Sequence, residues 1–251
     1  MSTIAQTLEQ IQRQKALWDA AQPLPASLLE QLRKDWEVTQ TYNSNAIEGN
    51  TLTLAETKVI LLHGVTVGGK QINEHLAATN HRDAMFLMRY AAQMQMKRPL
   101  EEILVLELHR ILLSRIDDED AGRYRPTRTS VTGSGRIFPN SVQVSTLMAE
   151  FVDKINAMTT AGEHPVLIAS AVHFGMFDIR PFNVANGRIA RLLMNLIFLH
   201  HEYPPVLVPV EQLVAYVHAL RAIEERNVTV LDKFIAQITL QSLETMVAVV
   251  A

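Results

Sequence analysis

Three arginines crowd one short stretch of this chain, Ile179-Arg-Pro-Phe-Asn-Val-Ala-Asn-Gly-Arg-Ile-Ala-Arg191, at Arg180, Arg188 and Arg191. The stretch joins two apolar segments and opens as a tight loop: Pro181 fixes φ, Ala185 and Gly187 are small, and Asn186 is a candidate N-cap for the following helix. Backbone N–H groups of such a loop and first turn converge on one space that suits an oxyanion. Arg188 and Arg191 are three apart and share a face of that turn. Cations at a helix N-terminus oppose the macrodipole at about 0.3–1 kcal/mol each, yet no acid occurs between Asp178 and Glu202. A negative partner is therefore expected, either a phosphate chain or a carboxylate delivered from elsewhere in the fold.

Other chemistry is weakly signalled. The chain has no cysteine, which excludes disulfides, thiol catalysis and Zn–Cys sites and permits a reducing, cytoplasmic location. No two of its nine histidines complete a metal-binding His-Glu-x-x-His motif with an acid between them, so no metal ligands are assigned. His173 lies seven residues before Arg180 on roughly the same helix face, where it could stand as a displaced base.

The elements that must position these groups are helical. Apolar residues recur at i, i+3, i+4 and i+7 over residues 28–47, 54–62, 72–94, 100–113, 142–158, 166–177, 189–199, 213–223 and 231–249, and the N-terminus reads as a further surface helix. Pro23 and Pro25 separate the first two helices, Gly49 and Gly64 stand where left-handed C-caps belong, and Thr53 with Glu56 makes a capping box. Residues Tyr124 to Pro139 differ: β-formers flank Gly133-Ser134-Gly135 and prolines close both ends, which predicts one small β-hairpin. A lone hairpin is marginal in water, so it must lie on the helices or receive an added strand; a surface loop with extended character fits this stretch equally. The fold class expected is all-α with that one hairpin.

The chain has 251 residues, and 48% hydrophobic against 20% charged side chains are the proportions of a globular protein, which excludes disorder. A net charge of −3 gives no reason to expect general attraction to nucleic acid or to an anionic membrane, so any bound anion is held locally. The most apolar windows fall short of the roughly 20 residues of a membrane span. No repeat or long linker divides the chain, which is read as one domain over 1–251, with N-terminal helices to 52, a core over 53–208 and C-terminal helices over 209–251.

The arginine segment resembles the signature of Fic (Fido-fold) proteins, His-Pro-Phe-x-Asp/Glu-Ala/Gly-Asn-Gly/Lys-Arg-x-x-Arg, in the form Arg-Pro-Phe-Asn-Val-Ala-Asn-Gly-Arg-Ile-Ala-Arg. The likeness extends from about Tyr42 to His201. It includes Ser44-Asn-Ala-Ile-Glu-Gly49, similar to the inhibitory motif Ser/Thr-x-x-x-Glu-Gly/Asn of Fic proteins whose inhibitory helix precedes the core. What the resemblance implies is an AMP-transferase scaffold. ATP lies over the loop, contacted by Asn186, Gly187 and Arg188. A flap hairpin near 127–139 aligns a protein target, and AMP passes to a hydroxyl of that target. Glu48, within the Ser44–Gly49 motif, would reach Arg191 and take the place of the γ-phosphate.

Two positions depart from that pattern. Arg180 stands where the family has its histidine base, and a guanidinium offers no lone pair to a proton. Val184 stands where the family has its Mg-binding acid and offers no oxygen to a hard cation, so Mg is not expected. Loss of a positioned base costs about 10²- to 10⁴-fold. The expectation is a catalytically degenerate Fic protein that still binds ATP or a related nucleotide as a regulatory module, with homo-oligomers left open. The rivals are an active enzyme, which transfers AMP through an unorthodox base or removes it with Glu48, and a scaffold with an empty pocket.

Overall fold

The computed structural model describes residues 3–94, 100–127 and 138–250, which form ten α-helices, a single 3-10 turn at Val210–Gln212 and no strand. The helices are α1 (Ile4–Ala20), α2 (Ala26–Ala46), α3 (Leu54–His63), α4 (Ile72–Met94), α5 (Glu102–Leu113), α6 (Ser141–Thr160), α7 (Pro165–Ile179), α8 (Asn186–His200), α9 (Leu213–Arg221) and α10 (Val228–Val250). The all-α reading holds. The hairpin expected at 124–139 falls largely on residues 128–137, outside the described residues.

Local chemistry sets the boundaries. The Thr53 side chain accepts from the Glu56 amide while the Glu56 carboxylate accepts from the Thr53 amide, which closes the capping box that starts α3. Gly64 ends the same helix at φ 66, a left-handed position where a side chain is strained. Pro165 at the first position of α7 needs no partner for its missing N–H, and the His164 Nδ1 accepts from the Val166 amide beside it.

Helix α8 is apolar except for one stripe through Arg188, Arg191 and Asn195, and the fold buries it almost throughout: Ile189 through Phe198 are all buried. One apolar cluster joins it to α4, α5, α6 and α7, through Met85, Met88, Leu108, Met148, Val172 and Leu193. A second joins its other side to α1, α9 and α10, through Ile11, Met194, Phe198, Tyr216, Leu231 and Ile235. Helices α6 and α7 approach closely at Gly175, where a Cβ would overlap the Phe151 ring. The loop from Arg180 to Ala185 therefore hangs between two helices packed into the core. Helix α2 crosses over the start of α8, and it is buried only in its second half, from Val38 onward.

Candidate anion site

The loop owes its shape to two left-handed residues and one amide side chain. Arg180 caps α7 at φ 51, ψ 61, and Ala185 adopts φ 65, ψ 7 immediately before α8. Between them Asn186 turns back: its Oδ1 accepts from the Phe182 amide at 3.1 Å and its Nδ2 donates to the Phe182 carbonyl at 2.8 Å. This corrects the expected N-cap. Ala185 holds that position, and Asn186 is the first helical residue, buried and bracing the loop from inside. Because an amide side chain is donor and acceptor at once, it satisfies both polar groups of one residue, which a capping geometry would not. No side chain caps α8, and its first-turn N–H groups keep their partial positive charge for a guest. Phe182 stacks flat on His109 of α5, with ring centroids 3.8 Å apart, and so fixes the loop from below.

The three arginines divide the surrounding space. Arg191 is 1% exposed and turned toward α2: its Nε donates to Ser44 Oγ at 3.0 Å, and its Nη2 to the Ser44 carbonyl at 2.9 Å and to Glu48 Oε1 at 2.8 Å. The Tyr216 hydroxyl lies 3.5 Å from Arg191 Nη1, with the tyrosine ring 5.9 Å from the guanidinium. Arg188 is half-buried and Arg180 lies over the Phe138 ring at 5.4 Å. Among the described residues, the Nε atoms of Arg180 and Arg188 are buried without a hydrogen-bond partner.

Electrostatics follow this arrangement. Burial raises the proton affinity of the Glu48 carboxyl, but Arg191, with Arg188 and Arg180 behind it, outweighs that effect and holds it below the ordinary range. Arg188 is pushed down by burial and only partly supported by Glu48. His81, fully buried on Thr41, is pushed down to about 3 by burial and by Arg188 and Arg191, so no imidazolium competes for the anion. Three guanidinium groups face one carboxylate, and the site keeps two positive charges in excess.

Gly187 is where Glu48 touches α8. A Cβ there would stand 2.5 Å from Glu48 Oε1 and 3.1 Å from Arg191 Nη1. Gly187→Ala is thus expected to cost about 1 kcal/mol in the wild-type background. In a Glu48→Gly background it becomes neutral or stabilising, by up to about 1 kcal/mol, because alanine is the better helix former. Denaturation of the four proteins checks this; an equal cost in both backgrounds would place the clash elsewhere.

Several sequence readings move. Gly49, at φ 91, ends the turn that carries Glu48. His173 is no displaced base: it is 0% exposed, its Nδ1 is 3.2 Å from the Ala169 carbonyl, its ring lies edge-on behind Tyr216, and burial pushes it down to about 4. Val184 is 46% exposed at the rim of the loop, while neighbouring Asn183 donates to the Asp120 carboxylate at 2.7 Å. Two residues were missed. Tyr216 sits in a C-terminal helix read only as packing, and nothing in Leu213-Val-Ala-Tyr-Val-His218 distinguishes it from core. Arg125, 2% exposed, donates to the carbonyls of Arg180 (2.7 Å), Thr127 (2.7 Å), Pro139 (2.6 Å) and Ile179 (3.4 Å), tying Thr127 and Pro139 to the end of α7. Two apolar grooves of about 590 and 550 Å³ flank the first half of α2 and include none of the three loop arginines; charge and unpartnered donors, not cavity size, mark the anion site.

Residues 99–198, which include this loop, match the Fic/DOC family. The chain carries a Fic/DOC family domain. Protein adenylyltransferase Fic of Drosophila willistoni is 34% identical over 218 residues, which cover 87% of this chain and 43% of that one. The chain thus spans under half the length of the curated relatives it matches. Among solved structures, a Fic domain containing signaling protein from Bacteroides thetaiotaomicron aligns with a TM-score of 0.89 and 26% identity over 96% of each chain. Fic-1 from C. elegans aligns at 0.86 and 27% identity, over 98% of this chain and 73% of that one. The Fic fold therefore embraces helices on both sides of the matched segment, including α2 and the turn after it that carries Glu48. Among the described residues no helix is long and apolar enough to cross a membrane.

Proposed function

We propose that this Fic domain holds the phosphate chain of a nucleotide such as ATP in the arginine site, with Glu48 as the competing internal anion, and that it is degenerate in AMP transfer. The observation that carries the reading is the pair of Nε atoms at Arg180 and Arg188, buried without a partner among the described residues, beside an Arg191 whose three side-chain nitrogens all have partners. Arg191 is satisfied by Ser44, Glu48 and Tyr216, whereas the other two guanidinium groups retain donors for an outside anion. In this reading Asn186 braces the loop, Gly187 lets an anion approach the backbone, and Arg188 with Arg191 binds phosphate oxygens. Ser44, Glu48 and Gly49 form the regulatory turn, and the segment near 127–139 aligns a protein target by strand addition.

Degeneracy rests on two side chains. Proton transfer from a target hydroxyl needs a group with a free lone pair near neutral pH, and Arg180 has none. The magnesium ion that the family implies does not fit the residues present: Val184 offers no oxygen, and the Asp120 carboxylate is engaged by Asn183. The second reading is retained transfer, favoured by the adenylyltransferase name of relatives at 34% identity.

Incubation of the wild type and Glu48→Gly with labelled ATP and cell lysate separates the two. Calorimetry is expected to give about tenfold tighter ATP binding by Glu48→Gly, because the internal competitor is gone, with no protein labelled by either form. Labelling that rises in Glu48→Gly and vanishes on Arg188→Ala would overturn degeneracy. No nucleotide binding by either form would leave only a scaffold.

A further inference from the structure

We infer that the site selects nucleotide free of divalent metal, with the Arg180 guanidinium standing in for a cation. The inference rests on the nucleotide-holding reading and adds to it the ionic form of the ligand.

A polyphosphate chain brought into a protein needs positive charge to replace its water and counterions. Here that charge is already built in. Arg180, Arg188 and Arg191 meet at the loop, Glu48 is the carboxylate they share, and Arg191 already engages it at 2.8 Å. A divalent cation entering the same space would face two excess positive charges, and the loop gives it no oxygen of its own at Val184. The Asp120 carboxylate is engaged by the Asn183 side chain. The free triphosphate carries two more negative charges than its magnesium complex, so the surplus charge of the pocket favours the free form. Two ligand charges about 6 Å from two uncompensated guanidinium charges, at water-like dielectric, correspond to about a hundredfold in affinity without salt and about tenfold at physiological salt, and to more where water is excluded.

The position of Arg180 makes this a property of the backbone as well as of charge. Its left-handed φ of 51 turns the chain at the end of α7, and its carbonyl is held by Arg125 at 2.7 Å. The side chain is confined over the Phe138 ring with Nε buried. A guanidinium confined in this way loses less conformational freedom on binding than one free in solvent.

The test is calorimetric titration of the whole chain with ATP, first in EDTA and then with Mg²⁺ in excess over nucleotide, in the wild type and in Glu48→Gly. Expected is binding in EDTA that weakens about tenfold or more with Mg²⁺. In Arg180→Met the EDTA affinity falls and the Mg²⁺ penalty shrinks. In the double variant Arg180→His, Val184→Asp the order reverses, and Mg²⁺ tightens binding. Thermal melts establish that each variant is folded. Wild-type binding that requires Mg²⁺, or a Mg²⁺ penalty unchanged in Arg180→Met, overturns the inference while nucleotide holding stands. Absence of binding by both the wild type and Glu48→Gly overturns nucleotide holding and this inference with it.

Discussion

Replacing Arg125 by methionine is expected to destabilise the protein by about 3–5 kcal/mol, and to lower Tm by about 10 °C for a chain of this size. The side chain is buried, and its hydrogen-bond partners among the described residues are all backbone carbonyls, two of them the terminal carbonyls of α7 at Ile179 and Arg180. Helix ends leave their last carbonyls without intrahelical donors, and a cation there also meets the negative end of the macrodipole. Methionine fills much of the same volume, so the loss reports unsatisfied carbonyls rather than a cavity. Arg125→Lys keeps the charge but reaches fewer of the diverging acceptors, and is expected to restore less than half of the loss. Urea denaturation of the three proteins measures both steps. A methionine variant within about 1 kcal/mol of wild type would show that water satisfies these carbonyls as well as the guanidinium does.

Arg125 also shows where the sequence stops being legible. Helices announce themselves through apolar period, caps and glycines, and the predicted 72–94 helix matches α4 (Ile72–Met94) because that pattern is local. The expectation of a negative guest near Arg188 and Arg191 came from charge along a single helix start, which is local too. The identity of the cap was not legible, since Asn186 can brace the loop or cap the helix, and only the course of Phe182 decides between them. Tyr216 reaches Arg191 from 25 positions away and Arg125 reaches Arg180 from 55. Neither separation leaves a periodic trace. His173 misled for the same reason: helical spacing put it near Arg180, but only packing could reveal that it is fully buried against Tyr216.

The second large effect is expected at Arg191. Arg191→Ala removes a guanidinium that is 1% exposed and leaves the Ser44 carbonyl, Ser44 Oγ, the Tyr216 hydroxyl and Glu48 short of a donor, a loss of about 3–5 kcal/mol. Glu48 contributes less than a buried partner would, because its side chain is 36% exposed and solvent screens it. A cycle of Arg191→Ala, Glu48→Ala and the double variant is therefore expected to give a coupling of about 1–2 kcal/mol, with the rest of the arginine's contribution independent of Glu48. The pH dependence fixes the origin of that coupling. Arg191, Arg188 and Arg180 depress the Glu48 carboxyl in the folded state, so its contribution is fully present above the unfolded value of about 4.3 and is lost as pH falls through the lower folded one. The stability gap between wild type and Glu48→Gln should be constant from pH 7 to about 5 and narrow below that. A gap that instead closes near pH 7 would point to a histidine, although His81 and His173 are both held neutral there by burial. Simple additivity in the cycle would mean that Ser44 and Tyr216 hold Arg191 alone, and that the carboxylate in the turn after α2 has no grip on the anion site.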